Sequence, residues 1–224
     1  MNPIPNEYAE AALEITEYSH LMWSKGYVEA NGGNISVRLS GDTIITTPTM
    51  ESKGQLRPED MVICTLKGDK IYGKRDASSE IKTHIAVYRS NPQAKSVVHS
   101  HPPYTCSYAF TDSLPFSFMS AEALFWLDKM CVVPFITPGS DELSNEIERL
   151  CKGSSVILLR NHGLISWGGS IKEAWWRTEA MESSCRISHI IKERGDTPVY
   201  LSERDRLSLQ KIKESYFNRE ERYD

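Results

Sequence analysis

The sequence predicts an α/β protein built on one mixed sheet, more antiparallel than doubly wound, with helices on its flanks. Three observations predict it. The apparent order is helix, several strands, helix, strand, helices, strand, helix, which lacks the regular alternation of a doubly wound fold. Gly41-Asp42 and Gly68-Asp69 each separate two strand-like runs, which is how antiparallel hairpins are written. The 224 residues are 40% hydrophobic and 25% charged, ordinary for a globular chain and enough for one sizeable core, so residues 1–224 read as a single domain.

Taken in order, Asn6 to Lys25 is a helix whose Ala12, Ile15, Ser19 and Met22 share a flank, with Gly26 where a C-terminal glycine belongs. Ile35 to Leu39 alternates as a half-buried strand, and Thr43 to Thr47 is its return before Pro48. Met61 to Leu66 and Lys70 to Tyr72 form the second hairpin. Ser78-Ser79-Glu80 opens a helix to about Ser90, closed by Asn91-Pro92. Val97 and Val98 begin a buried strand that carries His99 and ends at His101 before Pro102-Pro103, since neither proline can donate to a ladder. A helix follows from about Tyr104; Glu122 to Asp128 carries no clear period. Cys131 to Phe135 is a strand, and Ser140-Asp141-Glu142 starts a helix with its acids in the first turn. Val156 to His162 is an apolar strand ended by a histidine and a glycine. Ser170-Ile171-Lys172-Glu173 fits a capping box for a long helix to about Arg194, on which Trp175, Trp176, Met181, Ile187 and Ile190 are core or subunit contacts. Ser202 to Asn218 is a final helix, followed by a charged, mobile tail from Arg219 to Asp224.

Composition narrows the function classes. The net charge is −4 and there is no basic stripe, so nucleic acid is not an expected partner. No run approaches the roughly 20 apolar residues that span a bilayer, and the N-terminus lacks the basic and apolar regions of a signal peptide. No membrane partner and a cytoplasmic location are therefore the expectation. The five cysteines, Cys64, Cys106, Cys131, Cys151 and Cys185, are scattered and odd in number, which reads as reduced thiols rather than a disulfide frame.

The chemistry sits in a few short stretches. His99 and His101 are two apart on a strand and so project to one face. His162 ends another apolar strand in the same way. Single histidines are more often core or surface residues, but three imidazoles with a vacant fourth position describe a catalytic zinc site. Asn31-Gly32-Gly33-Asn34 can turn backbone N–H groups toward a ligand, or be a tight turn and no more. Ser78 and Ser79 precede a helix, where free N–H groups and the dipole favour an anion, although Ser78 also suits a plain N-cap. Glu80, in the first helical turn, is the candidate acid/base carboxylate. His84 reads as a packing or supporting residue, and His20 and His189 as structural.

Together, Asn31-Gly32-Gly33-Asn34-Ile35-Ser36, Ile45-Thr46-Thr47-Pro48-Thr49, Ser78-Ser79-Glu80, His99-Ser100-His101 and Asn161-His162-Gly163-Leu164 resemble the class II aldolase/adducin family. The likeness runs from the first helix to beyond residue 190. It implies a three-layer α/β/α sandwich and a homotetramer with active sites between subunits. It also implies Zn2+, or another divalent cation such as Mn2+ or Co2+, on His99, His101 and His162, with Glu80 as acid/base and able to touch the metal. Asn34, Thr49, Ser78 and Ser79 match positions that hold a substrate phosphate. The implied activity is retro-aldol cleavage of a small phosphorylated sugar through an enediolate. The alternatives are an epimerase, dehydratase or decarboxylase on the same site, or a non-catalytic adducin-like scaffold. Two features depart from the family's fuculose-phosphate aldolase pattern. Met50 replaces a glycine after Thr49, so that loop is expected to differ in backbone or contacts. No tyrosine stands in Pro115-Phe116-Ser117-Phe118-Met119, which leaves Glu122 or Tyr216 as conjectural proton donors.

Overall fold

The computed structural model describes residues 4–116, 119–127 and 129–220. Residues 221–224 of the expected charged tail, and Asp128, lie outside them. After one 3-10 turn (Asn6–Tyr8), α1 spans Ala9–Ser24 and stops where Gly26 takes φ +68, the left-handed conformation glycine adopts without strain. Strands β1 (Asn34–Arg38), β2 (Thr43–Thr46), β3 (Val62–Thr65) and β4 (Lys70–Tyr72) form an antiparallel meander with the two expected hairpins. Helix α2 (Ile81–Ser90) leads to β5 (Ser96–Ser100), and α3 (Pro103–Ala109) starts at the second proline of the pair, with Pro102 as its N-cap. The stretch without a clear period contains a short helix, α4 (Ala121–Trp126). Then come β6 (Met130–Val133), α5 (Asp141–Leu150), β7 (Val156–Leu159), β8 (Gly163–Gly168), α6 (Ile171–Glu193) and α7 (Glu203–Glu220).

The eight strands make one sheet in the order β4-β3-β2-β1-β5-β8-β7-β6, antiparallel throughout except for the parallel β6–β7 pair. Alternation along each strand feeds two cores. Ile44, Cys64, Val97, Ile157 and Ile165 face α2 and α5, whereas Ile35, Ile45, Ile63 and Val98 face α1 and the start of α6. The result is the three-layer α/β/α sandwich, its sheet mixed and mostly antiparallel.

Strand β8 was not expected from the sequence, and its presence corrects the reading of the stretch before it. The strand ahead of His162 ends at Leu159, and residues 160–162 form a tight turn in which Asn161 takes φ +53. Ser166 and the flanking glycines hide β8's apolar character, yet every residue from Gly163 to Gly168 is buried. On α6, Trp175 and Met181 are core residues while Ile187 and Ile190 stay exposed. All five cysteines are buried and free. Among the described residues, no helix is long and apolar enough to cross a membrane.

Candidate metal centre

The site is assembled at the middle of the sheet, where β1, β5 and β8 lie side by side. Asn34 and His99 are directly paired across β1 and β5. His99 shares the parity of Val97, which faces α2, so both side chains of the pair point toward the N-terminus of α2. Helix α2 begins at Ile81, so Glu80 is the residue just ahead of its first turn rather than within it, and it sits above that pair. His101 leaves the end of β5 held by its N–H to the carbonyl of Tyr27 at 2.7 Å. His162 enters from the β7–β8 turn. The glycine after it is a spatial requirement: a Cβ on Gly163 would lie 2.5 Å from His101 Cδ2 and 2.6 Å from the Ser100 carbonyl oxygen.

These elements bring the three imidazoles to one point. His99 Nε2 lies 3.2 Å from Nε2 of both His101 and His162. Two nitrogens each about 2.0–2.1 Å from a tetrahedral zinc stand roughly 3.3 Å apart, so the spacing suits a shared ion. The outward nitrogens fix the tautomers. His99 Nδ1 donates to the Leu164 carbonyl at 3.0 Å, and His101 Nδ1 donates to Glu29 Oε1 at 2.8 Å, which leaves each Nε2 lone pair directed inward. Burial, reinforced by the neighbouring imidazoles, holds His99 well below the usual histidine value. Burial also lowers His162, with Glu80 opposing. Both are neutral at pH 7, the form that binds a cation.

Glu80 completes the cluster. Its Oε2 lies 3.3 Å from His99 Nε2 and accepts the Asn34 Nδ2 hydrogen bond at 2.8 Å. Its Oε1 lies 3.5 Å from His162 Nε2 and, although buried, has no hydrogen-bond partner. Converging lone pairs and an orphaned carboxylate oxygen are mutually repulsive without a positive charge among them. The donor set therefore fits a divalent cation, and His99, His101 and His162 could hold it.

The residues matched to phosphate binding lie on three loops stitched to one another. Thr49 N–H donates to Asp76 O at 3.0 Å, Ser78 N–H donates to Thr47 O at 3.2 Å, and Pro48 bridges Ala77. Ser78 Oγ accepts the N–H of Glu80 at 3.3 Å, and Ser79 is exposed beside Gly139. Asn34 is turned toward Glu80 by its nitrogen, with its own Oδ1 buried and unpartnered. Met50 adopts φ +59, so the backbone takes the left-handed form a glycine would favour, and the methionine bears the strain.

The other histidines behave as supports. His84 Nδ1 pairs with Ser36 Oγ at 2.7 Å, His20 Nε2 with Leu56 O at 2.8 Å, and exposed His189 with Glu193 on its own helix. Glu122 is an exposed first-turn residue of α4, and Tyr216 meets Phe125 edge to face, their ring centres 5.8 Å apart. Sequence reasoning missed Glu29 and Lys53. Neither had a recognisable local context: Glu29 is singled out by its contact with His101 and Lys53 by its burial.

Fold and cluster together define a class II aldolase type of α/β protein. The chain belongs to that family: the family model described as the class II aldolase and adducin N-terminal domain matches residues 13–189. It is similar to an L-fuculose phosphate aldolase of Methanococcus maripaludis, 32% identical over 182 residues that cover 80% of this chain and 98% of the relative. It is also similar to a 3-oxo-tetronate 4-phosphate decarboxylase of Haemophilus influenzae, 30% identical over 169 residues, 74% of this chain and 80% of the relative. The crystal structure of YgbL from Escherichia coli shares the fold, with a TM-score of 0.84 at 24% identity over 90% of this chain and 98% of that one.

Proposed function

We propose that the protein is a divalent-cation-dependent aldolase that cleaves a small phosphorylated ketose. The observation that carries the reading is the position of Glu80, an acid/base carboxylate whose two oxygens face the imidazole nitrogens of His99 and His162. Zn2+, Mn2+ or Co2+ held by His99, His101 and His162 would supply Lewis acidity toward a substrate carbonyl and the negative charge left by bond cleavage. The chain's own residues do the rest. Asn34 holds Glu80 Oε2, which leaves Oε1 as the oxygen that takes and returns the proton. Thr49, Ser78 and Ser79 anchor the phosphate beside the α2 N-terminus, where free N–H groups favour an anion. The sheet-borne imidazoles hold their geometry through the Leu164 carbonyl and Glu29.

A homotetramer with sites between subunits is part of the same proposal. Its support is a groove of about 490 Å³ beside the His162 turn, lined by Phe110, Phe135, Arg160 and Asn161 among others, with both phenylalanines exposed.

The decarboxylase reading is the second one, favoured by the 30% identity to the Haemophilus influenzae relative and by the lack of a tyrosine in residues 115–119. A panel of ketose 1-phosphates and 3-oxo acid phosphates, assayed for dihydroxyacetone phosphate and for carbon dioxide, separates the two. Release of dihydroxyacetone phosphate, abolished in Glu80→Gln with metal content retained, is the expected result. Carbon dioxide release alone would replace the aldolase with the decarboxylase, and full activity in Glu80→Gln would remove the carboxylate from either mechanism.

A further inference from the structure

Lys53 is sealed in the protein, 1% exposed, at a place where the apolar pattern gives no reason for a lysine. Its Nζ donates to the backbone carbonyls of Asn31 at 3.0 Å and Glu51 at 2.6 Å. Among the described residues it forms no ion pair. The Glu51 side chain pairs with Arg75 instead, and Glu80 is engaged with Asn34 and the imidazoles. An ammonium out of water with only neutral partners is costly, and a counter-charge that arrives with a ligand would offset that cost. Burial draws the Lys53 amine down to about 8, with the charges of Glu51 and Glu80 opposing the shift, so it remains largely protonated at neutral pH.

Its position gives the charge a use. The Asn31 carbonyl belongs to the glycine turn that delivers Asn34, and the Glu51 carbonyl to the turn that follows Thr49. Lys53 ties these turns together from below, and Asn31 Nδ2 adds a second link to Met50 Sδ at 3.3 Å. The second turn is in turn joined to the third loop, which carries Ser78 and Ser79, through the Thr49–Asp76 and Thr47–Ser78 hydrogen bonds. Lys53 thus holds two of these turns directly, and the Ser78–Ser79 loop is joined to it through the turn that follows Thr49. The strained φ of Met50 lies in the segment that Lys53 pins, as expected where a loop is held in a set shape against its own preference.

We propose that Lys53 is a positioning residue of the phosphate subsite. It clamps the Asn31–Asn34 turn against the Thr49–Lys53 turn, and its charge favours a phosphomonoester over an uncharged group at the loops it holds. It does not touch the substrate. This rests on the reading of the site as one for phosphorylated sugars.

The test compares metal-loaded protein with its Lys53→Gln and Lys53→Met variants. Glutamine keeps an amide donor for the carbonyls while removing the charge. Binding of inorganic phosphate, and of dihydroxyacetone phosphate against dihydroxyacetone, is measured by calorimetry, together with metal content and melting temperature. The expected result is a rise in the phosphate Kd of about tenfold or more in Lys53→Gln, with metal stoichiometry unchanged. The preference for dihydroxyacetone phosphate over dihydroxyacetone should shrink with it, which a loss of packing alone would not produce. A folded Lys53→Gln with the parental phosphate Kd and preference would overturn the role of Lys53. Unfolding of both variants would assign the lysine to the frame alone and overturn it equally. If the unsubstituted protein binds no phosphate, it is the reading of the site that fails, a result distinguishable from the first two.

Discussion

Asn34 Nδ2 donates to Glu80 Oε2 at 2.8 Å, joining the first residue of β1 to the residue that precedes α2. Asn34 therefore serves the carboxylate before it serves a phosphate. Without that donor, Glu80 can rotate and its oxygens lose their distinct roles. Asn34→Ala should lower kcat on the order of 10- to 100-fold with metal content intact, since small misplacements of a catalytic group cost that much. Steady-state kinetics beside phosphate titrations decide the matter. A variant with normal kcat and a weakened phosphate Kd would put Asn34 in the phosphate subsite instead.

Glu29 holds the outward nitrogen of His101 at 2.8 Å, and its carboxylate is 72% exposed. Partners of this kind usually cost roughly 10- to 100-fold in metal affinity when removed, and exposure places this one at the low end. Glu29→Gln should release a bound divalent cation about tenfold more readily in a chelator competition, with the fold unchanged. An unaltered cation Kd would make the contact incidental.

The fold class and the convergence of His99, His101 and His162 were legible in the sequence because each rests on a local signal. Hairpin turns at Gly41 and Gly68 declared the antiparallel half of the sheet, and the His99–His101 spacing declared a shared face. Strand β8 was not legible, since Gly163, Ser166 and Gly168 interrupt its apolar run and only burial between β5 and β7 makes it a strand. Helix α2 starts one residue later than expected, at Ile81, where Ser78 Oγ takes the N–H of Glu80. Met50 was expected to alter its loop in backbone or contacts; it takes φ +59, a conformation that glycine would adopt without strain. Glu29 depends on a partner distant in sequence, and Lys53 on its burial and on one distant carbonyl, and no local pattern marks such residues.

Gly163 is required by its neighbours rather than by its own dihedral angles. A methyl group there would meet His101 Cδ2 at 2.5 Å and the Ser100 carbonyl oxygen at 2.6 Å, and one of these is backbone that cannot swing aside. Gly163→Ala should therefore displace His101 and lower bound metal well below one per chain, measured by elemental analysis. Full metal loading in that variant would show that the β5 end can yield.

The last prediction concerns acid stability and isolates His84. Its Nδ1 bonds Ser36 Oγ at 2.7 Å, its Nε2 is buried without a partner, and burial brings it down from 6.5 to about 4, against the pull of Glu80. The folded state therefore keeps this ring neutral while an unfolded chain protonates it at the ordinary value. Below about 6.5 the unfolded state binds the extra proton, so stability must fall as pH falls, and the loss is complete near pH 4. The shift corresponds to a contribution on the order of 3 kcal/mol. His99 and His162, also lowered, act in the same direction, so the test is a difference. Metal-free protein and metal-free His84→Gln are unfolded in urea at a series of pH values from 7.5 to 4. The parent should lose more stability over that window than the variant, by up to about the stated amount. Parallel curves would mean that His84 takes up its proton in the folded state as readily as in the unfolded chain.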